Sequence, residues 1–154
     1  MNSGWKTNPS LPALRIVPAY MTIVEAPARK SSDVLAAVQS LVGKADVIFV
    51  PTDNTIVAML DTVIKVGVDN GMPVYAGDID AVKRGAIAAI GVDYYNVGRQ
   101  TGNVVVRILR GDKPGKIPVA VAEKTNLYVN PTIAKEMGLT IPEDVVSQAD
   151  EVVK

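Results

Sequence analysis

Four polar residues offer the clearest chemistry in this sequence: Thr52, Asp53 and Asn54 in the stretch PTDNT, and Asp78 in the stretch AGD. Each stretch directly follows a short apolar run of the kind that forms a buried strand. In an open parallel sheet, ligands bind beyond the carboxyl ends of the strands. If the two strands are neighbours, about 4.8 Å apart, the four side chains lie along one edge of the sheet.

These residue types favour a zwitterion or a polyol as the ligand. A helix N-terminus with free N–H groups and hydroxyls binds a carboxylate, and a nearby carboxylate binds an ammonium or a hydroxyl group. Asp53 and Asp78 would repel a phosphate, and the sequence has no glycine-rich phosphate loop. The alternative is structural, because Thr, Asp and Asn at a helix start are ordinary N-caps that contribute about 1 kcal/mol each. Local chemistry does not decide between the two interpretations.

The composition excludes most catalytic and metal-binding arrangements. The 154 residues include no Cys and no His, which removes thiolate nucleophiles, Ser-His-Asp triads, and sulfur or imidazole ligands for a metal. Catalysis by carboxylates, Lys or Tyr stays open on composition, and we predict no cofactor and no metal site. Sixteen basic and sixteen acidic residues balance each other, which argues against a nucleic acid or an anionic membrane as the partner.

The elements that must position these residues alternate along the chain. Predicted strands cover 46–50, 73–76, 86–92 and 125–130, and predicted helices cover 31–43, 54–70, 93–111 and 141–153. The continuous apolar run 46–50 predicts a strand that is covered on both faces. Strands that alternate with helices pair in parallel through right-handed crossovers. The predicted fold class is therefore α/β, a doubly wound, mostly parallel sheet flanked by helices.

Two further regions need separate predictions. Residues 14–26 are predicted to be extended, and 1–23 form an irregular N-terminal arm that precedes a single domain at 24–154. The longest predicted helix has one apolar face that we expect to point inward: Val97, Thr101, Val104, Val105 and Ile108.

Four segments carry a resemblance to a known family: DVLAAVQSLVGKADVIFVPTDNTIV, MPVYAGDIDAVKRGAIAAIGVDYYNVGRQTGNVVVRILRGDKPGKIPV, NLYVN and MGLTIPEDVVSQADEVV. In order and spacing they resemble the C-terminal lobe of ABC-transporter solute-binding proteins of the tryptophan/tyrosine-binding type. These proteins belong to the periplasmic-binding-protein type I group, across which the step from Asp93 to Arg99 into a helix is shared. The resemblance runs from about Val24 to the end of the chain.

The resemblance implies a noncatalytic receptor with two α/β lobes joined by a hinge. Such receptors close on a small solute, in this subfamily typically an amino acid and often an aromatic one, and deliver it to an ABC permease. Six residues match positions near the family's cleft: Thr52, Asp53 and Asn54 in one loop, Asp78 in a Gly-Asp pair, and Tyr94 and Tyr95 near the hinge. In this interpretation the helix terminus holds the solute carboxylate and Asp78 holds its amine.

A complete receptor of this kind has another lobe of comparable size before the segment that begins near Val24. We expect a single lobe to bind its solute weakly, because it encloses only one side of the solute. The face that would meet the other lobe favours self-association. We therefore expect a homo-oligomer, in which two copies face to face would rebuild a cleft or would bury the site.

Two other interpretations stay open. In the first, the chain is a truncated lobe that folds and self-associates without useful ligand binding. In the second, it is a flavodoxin-like enzyme or signalling domain. The second alternative lacks a phosphate loop and aromatic residues that would stack on a flavin. The localisation also stays open, because the family works outside the cytoplasmic membrane whereas residues 1–17 lack the layout of a signal peptide.

Overall fold

A computed structural model describes residues 21–154. Its α-helices are α1 Val34–Gln39, α2 Asn54–Val57, α3 Leu60–Asp69, α4 Tyr94–Leu109, α5 Pro131–Glu136 and α6 Glu143–Gln148. Its strands are β1 Ile48–Val50, β2 Val74–Ala76, β3 Ala88–Val92, β4 Thr125–Val129 and β5 Glu151–Val152. Short 3-10 helices occupy Ser31–Asp33, Ile79–Arg84 and Pro114–Lys116. The predicted arm at 1–23 lies outside the described residues except for its last three positions.

The five strands form one sheet in the order β1-β2-β3-β4-β5. Strands β1, β2 and β3 are parallel, β4 runs antiparallel to β3, and β5 runs parallel to β4. The predicted α/β class with a mostly parallel sheet is confirmed. The two strands that precede the polar stretches are direct neighbours, with Ile48 opposite Val74 and Val50 opposite Ala76.

One face of the sheet is covered by α1, α3 and the 3-10 helix Ile79–Arg84. Leu60 in α3 and Val82 in the 3-10 helix are almost fully buried in this layer. Gly67 lets α3 approach the sheet closely, because a Cβ atom at this position would lie 2.6 Å from Met72 O and 2.8 Å from Val74 Cγ2. The core therefore consists of aliphatic side chains between this helical layer and β1, β2 and β3.

The opposite face of the sheet is largely uncovered at β1 and β3. Phe49 is 66% exposed and Ile90 is 52% exposed. The register places Phe49 beside Tyr75, and Tyr75 beside Ala88, so that Phe49 and Ile90 lie on the same side of the sheet. The prediction that 46–50 is covered on both faces is therefore wrong, since no described element packs over Phe49.

The helix predicted at 31–43 is shortened to the 3-10 helix Ser31–Asp33 and α1, and two other predicted helices differ more. The helix predicted at 54–70 is divided into α2 and α3 at Met59, whose φ of −112° and ψ of 18° depart from helical values. The helix predicted at 141–153 ends at Gln148, and the next residues join the sheet as β5. They do so because Asp150 N donates to Leu127 O at 2.8 Å and Val153 N donates to Val129 O at 2.8 Å.

The helix α4 lies apart from the packed layers. None of its 16 residues is buried, and it shares no extensive contact with any other described helix or strand. The predicted inward face at Val97, Thr101, Val104, Val105 and Ile108 is therefore wrong: Val97 and Val104 are only half-buried, and the other three residues are exposed. Gln100 Nε2 donates to Val121 O at 2.9 Å, which links α4 to the segment that returns to β4. We call residues 93–124 the α4 arm.

The described helices include none that is both long enough and apolar enough to span a membrane.

Candidate functional site

The polar stretches after β1, β2 and β3 lie along one edge of the sheet, at the carboxyl ends of these strands. We call residues 52–54, 77–78 and 93–95 the rim. Thr52 Oγ1 donates to Gly77 O at 3.1 Å, and Gly77 N donates to Val50 O at 2.9 Å. These two bonds tie the loop after β1 to the loop after β2, which brings Thr52 next to the Gly77–Asp78 pair.

Two glycines allow the three strand ends to approach each other. A Cβ atom at Gly77 would lie 3.1 Å from Thr52 Oγ1 and 3.9 Å from Phe49 Cζ. A Cβ atom at Gly91 would lie only 2.6 Å from Gly77 O and 3.3 Å from Ile79 N. Side chains at these positions would push the loops apart, so the glycines fix the spacing of the rim.

Asp53 is the N-cap of α2. Its Oδ1 accepts hydrogen bonds from Thr55 N at 2.8 Å and from Ile56 N at 3.1 Å. The helix terminus that the sequence interpretation assigned to a solute carboxylate therefore has two of its N–H groups already bonded within the protein. Asn54 is exposed and its side chain has no hydrogen-bond partner among the described residues, so it is the more accessible donor in this loop.

Asp78 caps the 3-10 helix that follows β2, where its Oδ1 accepts from Asp80 N at 3.2 Å. This bond uses one carboxylate oxygen and is long for a charge-assisted hydrogen bond. The second oxygen has no partner among the described residues. Asp78 therefore combines a capping role with one carboxylate oxygen that can accept from an ammonium group.

A third carboxylate, Asp93, was not among the residues predicted from the sequence. It follows β3 and caps α4, because its Oδ1 accepts from Tyr95 N at 2.8 Å and its Oδ2 accepts from Asn96 Nδ2 at 2.8 Å. The signal was present in the sequence, since Asp93 ends an apolar run and begins a helix in the same way as Asp53. Tyr94 and Tyr95 follow it at the surface, 60% and 71% exposed.

The rim carries an excess of negative charge. Asp53, Asp78 and Asp93 stand after three neighbouring strands, and none of the ion pairs between described residues includes them. An ammonium group is therefore favoured here over an anion. In the described part of the chain, no cluster of three or more acidic side chains is arranged to hold a metal ion.

A groove of about 330 Å³ lies beside the rim, between the first turns of α4 and the segment that returns to β4. Asp93 is the rim residue that lines it, together with Asn96, Val97, Arg99, Gln100, Asn103, Ala122, Glu123 and Lys124. The structure therefore brings Thr52 and Asp78 together through Gly77. It places Tyr95 with Asp93 at the start of the α4 arm, next to the groove.

The end of the α4 arm is held to the sheet by Asp150. The Lys124 ammonium bonds to the Asp150 carboxylate, and Leu127 N donates to its other oxygen at 2.9 Å. These two donors, first Lys124 and then Leu127 N, lower the pKa of Asp150 below its ordinary value. Tyr128 follows Leu127 in β4. A hydrogen bond with Glu151 raises the pKa of Tyr128, and burial adds to this effect.

The chain belongs to the family of ABC transporter substrate binding proteins, whose sequence profile matches residues 15–153. The resemblance inferred from the sequence is thereby confirmed. The family is a class of non-enzymatic, solute-binding proteins, and the five-stranded sheet with its rim is the part of such a protein that this chain represents.

Three relatives illustrate the similarity. A tyrosine-binding protein of Clostridioides difficile is 38% identical over 117 residues, which are 76% of this chain and 34% of the relative. The structure of a conserved domain protein from Vibrio cholerae matches with a TM-score of 0.76 and 40% identity, over 82% of this chain and 43% of that chain. An ABC domain in complex with L-Trp from Streptococcus pneumonia matches with a TM-score of 0.75 and 32% identity, over the same shares of the two chains. The chain thus spans between a third and a half of the length of these relatives.

Proposed function

We propose that this chain is a solute-binding lobe that holds an amino-acid-like solute, preferably an aromatic one, at the rim. The observation that carries the proposal is the Thr52–Gly77 hydrogen bond, because it joins two strand ends and sets Asp78 beside the loop that carries Asn54. The negative rim favours the ammonium group of such a solute. The names of two relatives, a tyrosine-binding protein and a domain in complex with L-Trp, support an aromatic amino acid.

In this proposal each rim residue has a distinct role. The second oxygen of Asp78 accepts from the solute ammonium group, and Asn54 donates to the solute carboxylate. Tyr95 offers an exposed ring to an aromatic side chain. Thr52 positions Gly77 and Asp78 through its hydrogen bond, while Asp53 fixes the loop as the cap of α2 and adds negative charge.

The proposal includes two partners. An ABC permease that receives the solute is the partner that the family implies. A second copy of the chain is the partner that the uncovered surfaces imply, since Phe49 and Ile90 leave apolar area open to water. Two copies would enclose a solute from both sides, which a single lobe does not do.

The test is calorimetric titration of the chain with L-tryptophan and L-tyrosine. Asp78→Ala should weaken binding at least tenfold, because a lost charge-assisted hydrogen bond costs roughly 1.5–3 kcal/mol. Asp80→Ala is the matched control, since Asp80 is an exposed neighbour whose side chain has no hydrogen-bond partner among the described residues. Equal affinities of the two variants would remove Asp78 from the site.

Asp53→Ala separates capping from binding at the same loop. If Asp53 acts as the cap of α2, the variant should lose about 1 kcal/mol of stability and keep most of its solute affinity. A loss of affinity at an unchanged melting temperature would instead make Asp53 a ligand of the solute. Absence of binding by the unmodified chain, at every solute concentration, would favour the alternative of a lobe that folds without useful ligand binding.

A further inference from the structure

One buried polar atom near the rim has no partner. The side-chain oxygen Oδ1 of Asn126 is buried and makes no hydrogen bond, and among the described residues it is the only buried side-chain nitrogen or oxygen in this state. Buried polar atoms are almost always hydrogen-bonded in native proteins, so this one needs an explanation. We propose that Asn126 is a further contact of the solute, and that its Oδ1 accepts from the solute ammonium group beside Asp78. The inference rests on the solute site of the proposed function.

Asn126 lies at the end of β4 that meets the rim. Because β4 runs antiparallel to β3, its second residue, Asn126, is the register partner of Gly91 near the carboxyl end of β3. Residues directly opposite each other in an antiparallel pair point to the same side of the sheet, with Cβ positions about 4.5–5.5 Å apart. A Cβ atom at Gly91 would lie 2.6 Å from Gly77 O and 3.3 Å from Ile79 N. The Asn126 side chain therefore lies beside the loop that carries Asp78.

The alternation along β4 indicates the same side of the sheet. Tyr128, two positions further on, packs against the buried core, to which its register partner Ala89 belongs. Side chains two positions apart in a strand share a face, so Asn126 also points toward the helical layer. The 3-10 helix Ile79–Arg84 in this layer contacts both β3 and β4, and Asp78 is its N-cap. Asp78 and Asn126 therefore lie on the same side of the sheet and at the same edge.

The Asn126 amide can present its oxygen to the rim. Asn126 is half-buried as a residue, although its Oδ1 is buried. The last torsion of an asparagine side chain is broad and roughly two-fold, and the oxygen has no hydrogen bond to break when the amide turns. Asp93, in contrast, uses both carboxylate oxygens as a cap, through Tyr95 N and Asn96 Nδ2. Asn126 is therefore more available to a solute than Asp93.

A neutral acceptor suits an ammonium group at this position. An ammonium group has three N–H donors, and the free oxygen of Asp78 accepts from one of them. The rim already carries the charges of Asp53, Asp78 and Asp93, so a further carboxylate would add repulsion, whereas an amide oxygen adds a hydrogen bond without charge. The new bond also removes the cost of an unpartnered buried acceptor. Asn126 should therefore favour an α-amino acid over the same molecule without its amino group.

The experiment is calorimetric titration of the chain with L-tryptophan and with indole-3-propionate, which is tryptophan without its amino group. Asn126→Leu replaces the amide with an apolar group of the same branched shape. It should weaken the binding of L-tryptophan about tenfold, because one hydrogen bond to a charged group is lost. The affinity for indole-3-propionate should stay unchanged, because this molecule has no ammonium group. Thr125→Val is the matched control at the neighbouring position of β4, whose side chain points to the other side of the sheet. It should bind L-tryptophan like the unmodified chain.

Thermal unfolding separates a solute contact from a structural role. An unpartnered buried acceptor destabilises the folded chain, so Asn126→Leu should keep or raise the melting temperature while it weakens binding. If the larger side chain lowers the melting temperature, Asn126→Ala removes the amide without adding volume, and it should lose the same affinity for L-tryptophan. A purely structural amide would behave differently, because both variants would lower the melting temperature and would weaken the binding of the two solutes equally.

Two results would overturn this inference alone. Unchanged affinity of both Asn126 variants for L-tryptophan would show that the amide does not contact the solute. An equal loss for L-tryptophan and indole-3-propionate would show that the amide acts on the shape of the rim and not on the ammonium group.

Asp78→Ala, measured beside the Asn126 variants, separates this inference from the proposed function. Binding that depends on Asp78 but not on Asn126 contradicts only the role of Asn126. Binding that depends on Asn126 but not on Asp78 contradicts only the role of Asp78 and leaves Asn126 as the acceptor. An unmodified chain that binds no L-tryptophan contradicts both.

Discussion

The helices α3 and α4 follow strands of the same sheet and have similar amphipathic patterns, but they differ in what they contact. In α3, Leu60, Val63 and Val66 are buried between α1 and the sheet. In α4, no residue is buried, although its apolar stripe is as regular as that of α3. The comparison teaches that periodicity defines which side of a helix is apolar, whereas the partner of that side is determined by the rest of the fold.

The glycines of the two regions differ in the same way. A Cβ atom at Gly67 in α3 or at Gly91 in β3 would lie 2.6 Å from a backbone oxygen. A Cβ atom at Gly98 or Gly102 in α4 would meet nothing within 4 Å. Glycine is thus required by packing in the first region and is a cost to helix stability in the second.

The largest expected change in stability comes from a loss of packing around α3. Leu60→Ala should lower the free energy of unfolding by about 2–5 kcal/mol, because Leu60 is almost fully buried and its removal leaves a cavity. Leu109→Ala is the same change on the α4 arm and should cost less than about 0.5 kcal/mol. Urea unfolding at concentrations where the copies are separate measures both. Similar losses would mean that α4 is packed within the monomer.

A smaller loss of stability is expected where β3 lies close to Gly77 in the rim. Gly91→Ala should cost about 1–3 kcal/mol, because the added methyl group must displace Gly77 O. The same displacement should move Asp78 and weaken the binding of L-tryptophan. Thermal unfolding and calorimetric titration measure the two effects. An unchanged melting temperature would show that the loops at the rim adjust without strain.

On the α4 arm, replacing a glycine should raise the free energy of unfolding rather than lower it. Gly102→Ala should raise the free energy of unfolding of the separate chain by up to about 1 kcal/mol, because alanine favours the helix and meets open space. Urea unfolding of Gly102→Ala and of the unmodified chain measures the difference. A lower stability of the variant would contradict the open space around this position.

The smallest effect is expected where the arm returns to the sheet, and it depends on pH. The pKa of Asp150 is lowered by Lys124 and Leu127 N, so its contribution to stability is present above the ordinary pKa of about 3.8. That contribution is lost as the pH falls through the lower folded value. Asp150→Asn should therefore be less stable than the unmodified chain at neutral pH, and the difference should shrink in acid. Urea unfolding of both proteins at neutral and at acid pH measures this difference.

Local sequence signals predicted the elements that carry their own start and stop residues. The apolar runs at β1 and β2 were located within two residues, since PTDN and GD end them in a recognisable way. The parallel sheet and the family likeness followed from the order of these runs. The strand at 151–152 was missed, because its pairing with β4 depends on a contact between segments that are distant in sequence.

The candidate site was predictable in position but less so in detail. Thr52 and Asp78 were expected along one edge, and the Thr52–Gly77 bond places them side by side. The capping bonds of Asp53 could not be separated from ligand binding by sequence, because both uses require the same residue type at a helix start. Asp93 was overlooked although it repeats that pattern. The ligand roles of Thr52, Asp53, Asn54, Asp78 and Tyr95 stay predictions until binding is measured.

The antiparallel pairing of β3 with β4 gives the α4 arm an unusual position in the chain. Val92 and Thr125 are register partners, so the 32 residues between them form an insertion at the tip of a β-hairpin. A two-residue Asn-Gly turn can join such strands directly. Since each doubling of a loop costs about 0.6 kcal/mol in closure entropy, the shorter connection would favour folding by roughly 2 kcal/mol. We therefore expect that the arm can be removed, and that a chain without it would still contain the sheet and most of the rim.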